Sequence, residues 1–160
     1  MDERKKGLNL GCGNKHIKST EEVEWINIDC NALAKPDIVM DLNDATFDLP
    51  DNSVDWVYTT HTLEHIRNFV SLMDEIHRVC KNRAGIYIKV PPAIYEDKPF
   101  EGAFRDPTHV RLFTERTFDY FDKTTPEGNL YNFPFFKVIS SKITKEGVDP
   151  ELEVKLVVVK

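Results

Sequence analysis

Two stretches decide the fold: Lys6-Gly7-Leu8-Asn9-Leu10-Gly11-Cys12-Gly13 and Trp25-Ile26-Asn27-Ile28-Asp29. Each is a short apolar run that stops abruptly, the first on two glycines and the second on an acid, as strands do where they leave a sheet. Outward along the chain, Ile38-Val39-Met40 repeats the pattern and again meets an acid, Asp41. Ser53 to Thr59 makes a fourth run after the turn-forming Pro50-Asp51-Asn52. Ile66, Phe69, Val70, Met73, Ile76 and Cys80 then recur mostly at three- and four-residue spacing, one apolar face of a helix. Asn68 is expected to cap that helix, Lys81 and Arg83 to sit near the negative end of its dipole, and Gly85 to stop it. Ile86-Tyr87-Ile88-Lys89-Val90 reads as a fifth strand closed by Pro91-Pro92. The segment from there to Thr114 has no period and reads as a loop or lid, and Thr114 to Phe121 as a short helix. Phe135 to Ile143 and Leu152 to Val159 form a terminal hairpin. Strands separated by crossovers imply an α/β fold: a doubly wound, mostly parallel sheet with an antiparallel C-terminal edge hairpin. No linker divides residues 1–160, so one domain is expected.

Composition narrows the function. Against 21 Lys and Arg stand 27 Asp and Glu, a formal charge of −6, which disfavours a partner as anionic as nucleic acid. The longest purely apolar run is four residues, Leu156 to Val159, too short for a bilayer. Met1-Asp2-Glu3-Arg4-Lys5-Lys6 leads straight into strand-like sequence with no apolar leader, so a cytoplasmic location is expected. Cys12, Cys30 and Cys80 are odd in number and widely spaced, which points to reduced thiols. Cys12 and Cys30 are expected to pack beside the site, and Cys80 in the core.

In a parallel sheet, ligands bind beyond the carboxyl ends of the strands, where strand order reverses. The residues at those ends are Gly11, Gly13, Asp29, Asp41 and Thr59-Thr60-His61. Glycine lets the backbone turn tightly and lets a ligand approach where a Cβ would collide. Asp29 lies 18 positions after Gly11, near the roughly 20 expected of an acid that takes ribose hydroxyls. The third glycine of a dinucleotide fingerprint is replaced by His16, and no phosphate-cradling loop of the lysine type exists. An acid-lined site without a phosphate cradle suits S-adenosylmethionine, which carries a ribose, an ammonium and a sulfonium.

From Leu8 to about Phe121 the chain resembles the class I S-adenosylmethionine-dependent methyltransferases, particularly a compact type 11-like branch. Leu8 to Gly13 is similar to the first motif of that family, and Phe47-Asp48-Leu49-Pro50-Asp51-Asn52-Ser53-Val54-Asp55 to the lead-in to its fourth strand. His61-Thr62-Leu63-Glu64-His65 resembles the post-strand segment, and Met73 to Lys81 the helix after it. The resemblance implies cofactor contacts from Leu10, Gly11, Cys12 and Gly13 to the methionine part, and from Asp29 and Cys30 near the ribose. It further implies Asp41 and Leu42 at the adenine, with Thr60 and His61 lining the site. Two departures stand out. Only 11 residues separate Gly13 from Trp25, so a loop or single turn is expected where the family has a full helix. N-terminal capping helices are also absent, so the pocket is expected to be open or to close by homodimerisation.

His61-Thr62-Leu63-Glu64-His65 also spells the H-x-x-E-H signature of a zinc peptidase. That chemistry needs both histidines and the glutamate on one helix, whereas here the pentad follows a strand directly, so no metal is expected. His77 reads as a packing or surface residue. Arg105-Asp106-Pro107-Thr108-His109-Val110-Arg111 places two cations, an acid and a histidine in an aperiodic loop on the ligand side of the sheet. Its Asp-Pro-x-His resembles a segment found in several methyltransferases of the branch. The expected activity is methyl transfer to an acceptor that is favoured to be a small molecule, with His109 and His61 as candidate catalytic bases. The alternative is a non-catalytic adenosyl-nucleoside-binding domain. Phe100, Phe104, Phe113, Tyr120 and Phe121 either shape an apolar entrance or belong to the core.

Overall fold

The computed structural model describes residues 4–160. Seven strands form one sheet in the order β3-β2-β1-β4-β5-β9-β8. The first five in the chain are β1 (Lys5–Leu10), β2 (Val23–Asp29), β3 (Ile38–Val39), β4 (Val54–Thr60) and β5 (Cys80–Val90), all parallel. A small ribbon, β6 (Ile94–Tyr95) with β7 (Lys98–Pro99), and a four-residue helix (Glu101–Phe104) occupy the aperiodic segment. The expected terminal hairpin is β8 (Phe136–Thr144) and β9 (Glu151–Val158), with β9 antiparallel to β5. From β1 the chain winds outward through β2 to β3, then returns to lay β4 on the other side of β1. That reversal between β1 and β4 is the switch point at which a doubly wound sheet opens a crevice.

The single long helix, α1 (Phe69–Val79), buries Phe69, Leu72, Met73, Ile76 and Val79 against the sheet. These side chains share one core with Leu8, Leu10, Ile28, Val57, Ile86, Ile88 and the hairpin residues Phe136, Leu152 and Val154. Phe113, Phe118 and Phe121 join it edge-on to Phe69, so of the aromatic residues in doubt Phe113 and Phe121 are core. Arg78 fastens α1 to the lead-in of β4. Its guanidinium donates to the carbonyls of Phe47 and Leu49 and pairs with Glu75 and Asp51.

Residues 14–22 contain no helix, as the short spacing after Gly13 requires. Aromatic side chains pave the sheet face opposite α1 instead. Trp25 lies flat over Gly7 and Trp56 over Gly85, so closely that a Cβ on either glycine would sit 2.6 Å or 2.3 Å from a ring carbon. Tyr58 and Tyr87 stack beside them at 5.3 Å. Gly85 therefore works inside β5 as a seat for an indole rather than as a helix stop. The strand starts at Cys80, directly after α1, which puts Lys81 and Arg83 in β5 rather than at the helix end. Lys81 pairs there with Asp55 at 3.0 Å. Asn68 stands at the N-terminus of α1 but does not cap it, because its amide donates to the Asn43 carbonyl. Thr117–Phe121 is a 3-10 turn, and no helix of the described residues is long and apolar enough to cross a membrane.

Candidate active site

The loop after β1 is built to bare its backbone. The Gly11 and Cys12 amides both donate to the Ile28 carbonyl, which folds the chain sharply off the strand. Gly11 takes φ +66°, and a Cβ there would lie 2.1 Å from the Thr62 hydroxyl. Gly13 has φ +46° and nothing within 4 Å of where a Cβ would stand, a space that only glycine leaves open. Its amide donates to Oδ2 of Asp29 at 2.7 Å, while Oδ1 accepts from the Asn31 amide at 2.8 Å. Each oxygen of Asp29 thus has one lone pair engaged and one left to accept a hydroxyl.

These groups border a cavity of about 240 Å³ at the carboxyl ends of β1 to β4. Of the expected cofactor residues, Gly11, Asp29, Cys30, Asp41, Leu42 and His61 line it. Leu10 and Cys12 lie buried beneath the floor, and Gly13 takes part through its amide on Asp29. Thr60 is not in the wall; its carbonyl accepts a hydrogen bond from Thr62. Cys30 is exposed rather than packed, whereas burial pushes the Cys80 thiol up to about 12. Asp41 accepts from the Asn43 amide and is held below the usual carboxylate range, which keeps it ionised. Thr62, Asn43 and His65 also line the cavity. Sequence reading missed them, although all three follow strand ends already singled out.

A second cavity of about 500 Å³ adjoins the first. Arg105, Asp106 and His109 border it, so the loop read as functional does face the ligand side. Opposite them stand Val148, Asp149 and Glu151, from the hairpin turn. No local signal places that turn here, since it arrives through the pairing of β9 with β5. Arg111 points elsewhere, its guanidinium over the Phe69 ring at 4.9 Å.

His61 is common to both cavities. A left-handed φ of +51° and a hydrogen bond donated by its amide N–H to the Lys89 carbonyl aim its ring between them. Nδ1 lies 3.5 Å from Glu64 and Nε2 3.0 Å from Glu151. Glu64 first, then Glu151, raises the imidazole above its ordinary value against the opposing effect of burial. A histidine with both ring nitrogens facing carboxylates in this way is a partition rather than a free base. His109 differs: Nδ1 lies 3.1 Å from the Ala103 carbonyl, which can only accept, so in the neutral tautomer Nε2, 3.9 Å from Asp106, is the nitrogen with the lone pair.

A family model described as a methyltransferase domain matches residues 8–88, just over half of the chain. The chain belongs to this methyltransferase family. The match bears out the class I resemblance carried by the motifs, with S-adenosylmethionine as the cofactor of the domain. No curated protein matches it. Among solved structures, a Methanosarcina mazei S-adenosylmethionine-dependent methyltransferase is 15% identical with a TM-score of 0.68, covering 99% of this chain and 94% of its own. An Archaeoglobus fulgidus counterpart is 17% identical at 0.65, covering 96% and 86%. The [4+2]-cyclase SpnF reaches 0.70 at 11% identity, covering 99% and 76%. At such identities these likenesses establish the methyltransferase fold alone, and a cyclase among them shows that the fold carries other chemistry too.

The residues of the methyltransferase fit the cofactor. Unused lone pairs on Asp29 suit a ribose diol, the empty space at Gly13 suits an approaching chain, and the acids suit a cation.

Proposed function

We propose that the methyltransferase passes the methyl group to a small polar acceptor held in the larger cavity. The observation that carries this is the single shared wall: His61 borders the cofactor cavity on one side and the larger cavity on the other. When bound, S-adenosylmethionine supplies a methyl group already activated on sulfur. Holding donor and acceptor in line is then the main task, worth about 7–11 kcal/mol in favourable cases. Asp29 takes the ribose, the backbone at Gly11 and Gly13 borders the methionine part, and Asp41 with Leu42 faces the adenine. His61, with both ring nitrogens facing carboxylates, divides the cavities, which leaves His109 as the group to take a proton from the acceptor through Nε2. Asp106, Asp149 and Glu151 around the larger cavity, with the chain's charge of −6, disfavour a nucleic acid there.

The zinc-peptidase set does not assemble. His61 is tied to Glu151 and Glu64, and Leu63–His65 is a 3-10 turn rather than part of α1.

Calorimetric titration with S-adenosylmethionine tests the reading first, and methyl transfer to a panel of small hydroxylated and aminated acceptors tests it second. One-to-one cofactor binding is expected, with turnover reduced at least about 100-fold in His109→Ala, the lower end of general-base effects. Absence of binding heat at millimolar cofactor would overturn it.

A further inference from the structure

We infer that Glu64, His65 and His109 form a site for one divalent transition-metal ion in the wall between the two cavities. One ligand atom from each of the three lies within 4.8 Å of the others. Glu64 is 1% exposed, and neither of its carboxylate oxygens has a hydrogen-bond partner. Its charged neighbour within ion-pair reach is His61, whose other nitrogen is already taken by Glu151. With His61 3.5 Å from one oxygen and no hydrogen bond on either, this buried carboxylate keeps acceptor capacity for a metal ion to complete.

The two imidazoles are already set as ligands. His109 donates from Nδ1 to the Ala103 carbonyl, which frees Nε2. His65 Nδ1 lies 2.9 Å from the Thr108 hydroxyl oxygen, and that hydroxyl spends its own hydrogen on Asp106 at 2.6 Å. Thr108 can therefore only accept from His65, so Nδ1 carries the proton there as well and Nε2 is bare. Outer hydrogen bonds of this kind fix the tautomer and ring orientation of metal-binding histidines. The rings meet edge to face, 4.8 Å apart. Two imidazoles and one carboxylate, with a position left open, is a donor set of zinc or iron(II). Bonds of about 2.0–2.1 Å place such ligands about 3.3 Å apart, so closure by up to about 1.5 Å from 4.8 Å seats the ion. The sequence spells H-x-x-E-H, but folding replaces its first histidine with His109 from a distant loop.

The use of the ion rests on the proposed acceptor cavity, which His109 lines. An acceptor hydroxyl filling the open position would lose its proton to solvent more readily, and its oxygen pair would form the new O–C bond as the methyl C–S bond breaks, its electrons leaving on the sulfur of S-adenosylhomocysteine. The lone pair of His109 then serves the ion instead of the proton.

Cobalt(II), titrated into chelator-treated full-length protein and followed by visible absorption, tests the site, with zinc displacing it in calorimetry. One equivalent is expected to bind. Glu64→Gln and His109→Gln should each weaken binding by about 100-fold or more, and Thr108→Val by about 10–100-fold. His16→Ala, on the exposed loop after β1, should leave binding unchanged. His109 lies on a loop outside the core, so its variant still tests the site if Glu64→Gln fails to fold by circular dichroism. A cobalt spectrum that survives both variants, or no stoichiometric binding, overturns the site. Heat with S-adenosylhomocysteine, measured in parallel, separates this failure from that of the proposed function: cofactor binding without cobalt sinks the metal site alone, and the reverse sinks the methyl-transfer reading alone.

Discussion

Asp29 accepts one backbone amide on each oxygen, so its remaining acceptor capacity faces the cavity instead of being spent on the loop. Asp29→Ala should cost about 1.5–3 kcal/mol of cofactor binding, the usual worth of a hydrogen bond to a charged group, or about 10–150-fold in Kd by calorimetry. An unchanged Kd would remove Asp29 from the ribose. Gly13→Ala makes a finer test, since the added Cβ meets no protein atom and only the left-handed φ opposes it. Stability should fall by about 1–2 kcal/mol in urea unfolding, while cofactor affinity falls by more. Equal losses would mean that the open space holds no ligand. His61 allows a prediction on pH. Its folded-state value is raised by Glu64 and Glu151, so its contribution to stability is complete below the unfolded value of about 6.5 and is lost as pH climbs through the folded one. The stability difference between the wild type and His61→Gln should therefore be larger near about pH 5.5 than near about pH 8.5. A gap that widens with pH would show the proton is not held there. These site residues were legible because glycines and acids at strand ends have few other uses. The bare carboxylate of Glu64 was not, because burial is a property of the packed molecule.

At the scale of elements, hydrophobic period was a reliable guide where one face is buried and a poor one where backbone pairing decides. Four of the five parallel strands and α1 follow from runs and spacings that their burial bears out, whereas Ile38 and Val39 of β3 are exposed and held by pairing with β2 alone. The start of β5 was missed because Cys80 to Ala84 pairs irregularly around a shift between Val54 and Trp56, which no alternation records. Gly85 was read as a stop because glycine often ends helices, yet its role is to accept an aromatic ring. Gly85→Ala would place a Cβ 2.3 Å from the Trp56 ring and should destabilise by about 1–3 kcal/mol through overpacking. In a Trp56→Ala background the same substitution should cost well under 1 kcal/mol, roughly the intrinsic preference of strands between the two residues. Additive costs in this double-mutant cycle would refute the idea that the indole rests on the glycine.

Across the whole molecule, the parallel core and the terminal hairpin are one structure, because β9 extends the sheet at β5 and Phe136, Leu152 and Val154 enter the same core as α1. The same pairing brings Glu151 to His61 over ninety residues, and so completes a site whose first half was readable from the opening motif. In that second half the loop carrying Arg105, Asp106 and His109 was legible, but Asp149 and Glu151 were not, since a long-range ladder has no local signature. A shared core implies cooperative unfolding. Tryptophan fluorescence, which reports Trp25 and Trp56 on the paved face, should trace the same thermal transition as far-ultraviolet circular dichroism. S-adenosylhomocysteine at about 100 times its Kd should add about 2.7 kcal/mol and raise the common Tm by about 5–10 °C. The two probes should move together, because the proposed cofactor cavity is bordered by residues at the shared end of β1, β2 and β4. A hairpin transition that separates from the tryptophan signal, or a ligand shift confined to one probe, would show that the core is divided and that the larger cavity is assembled from parts that fold apart.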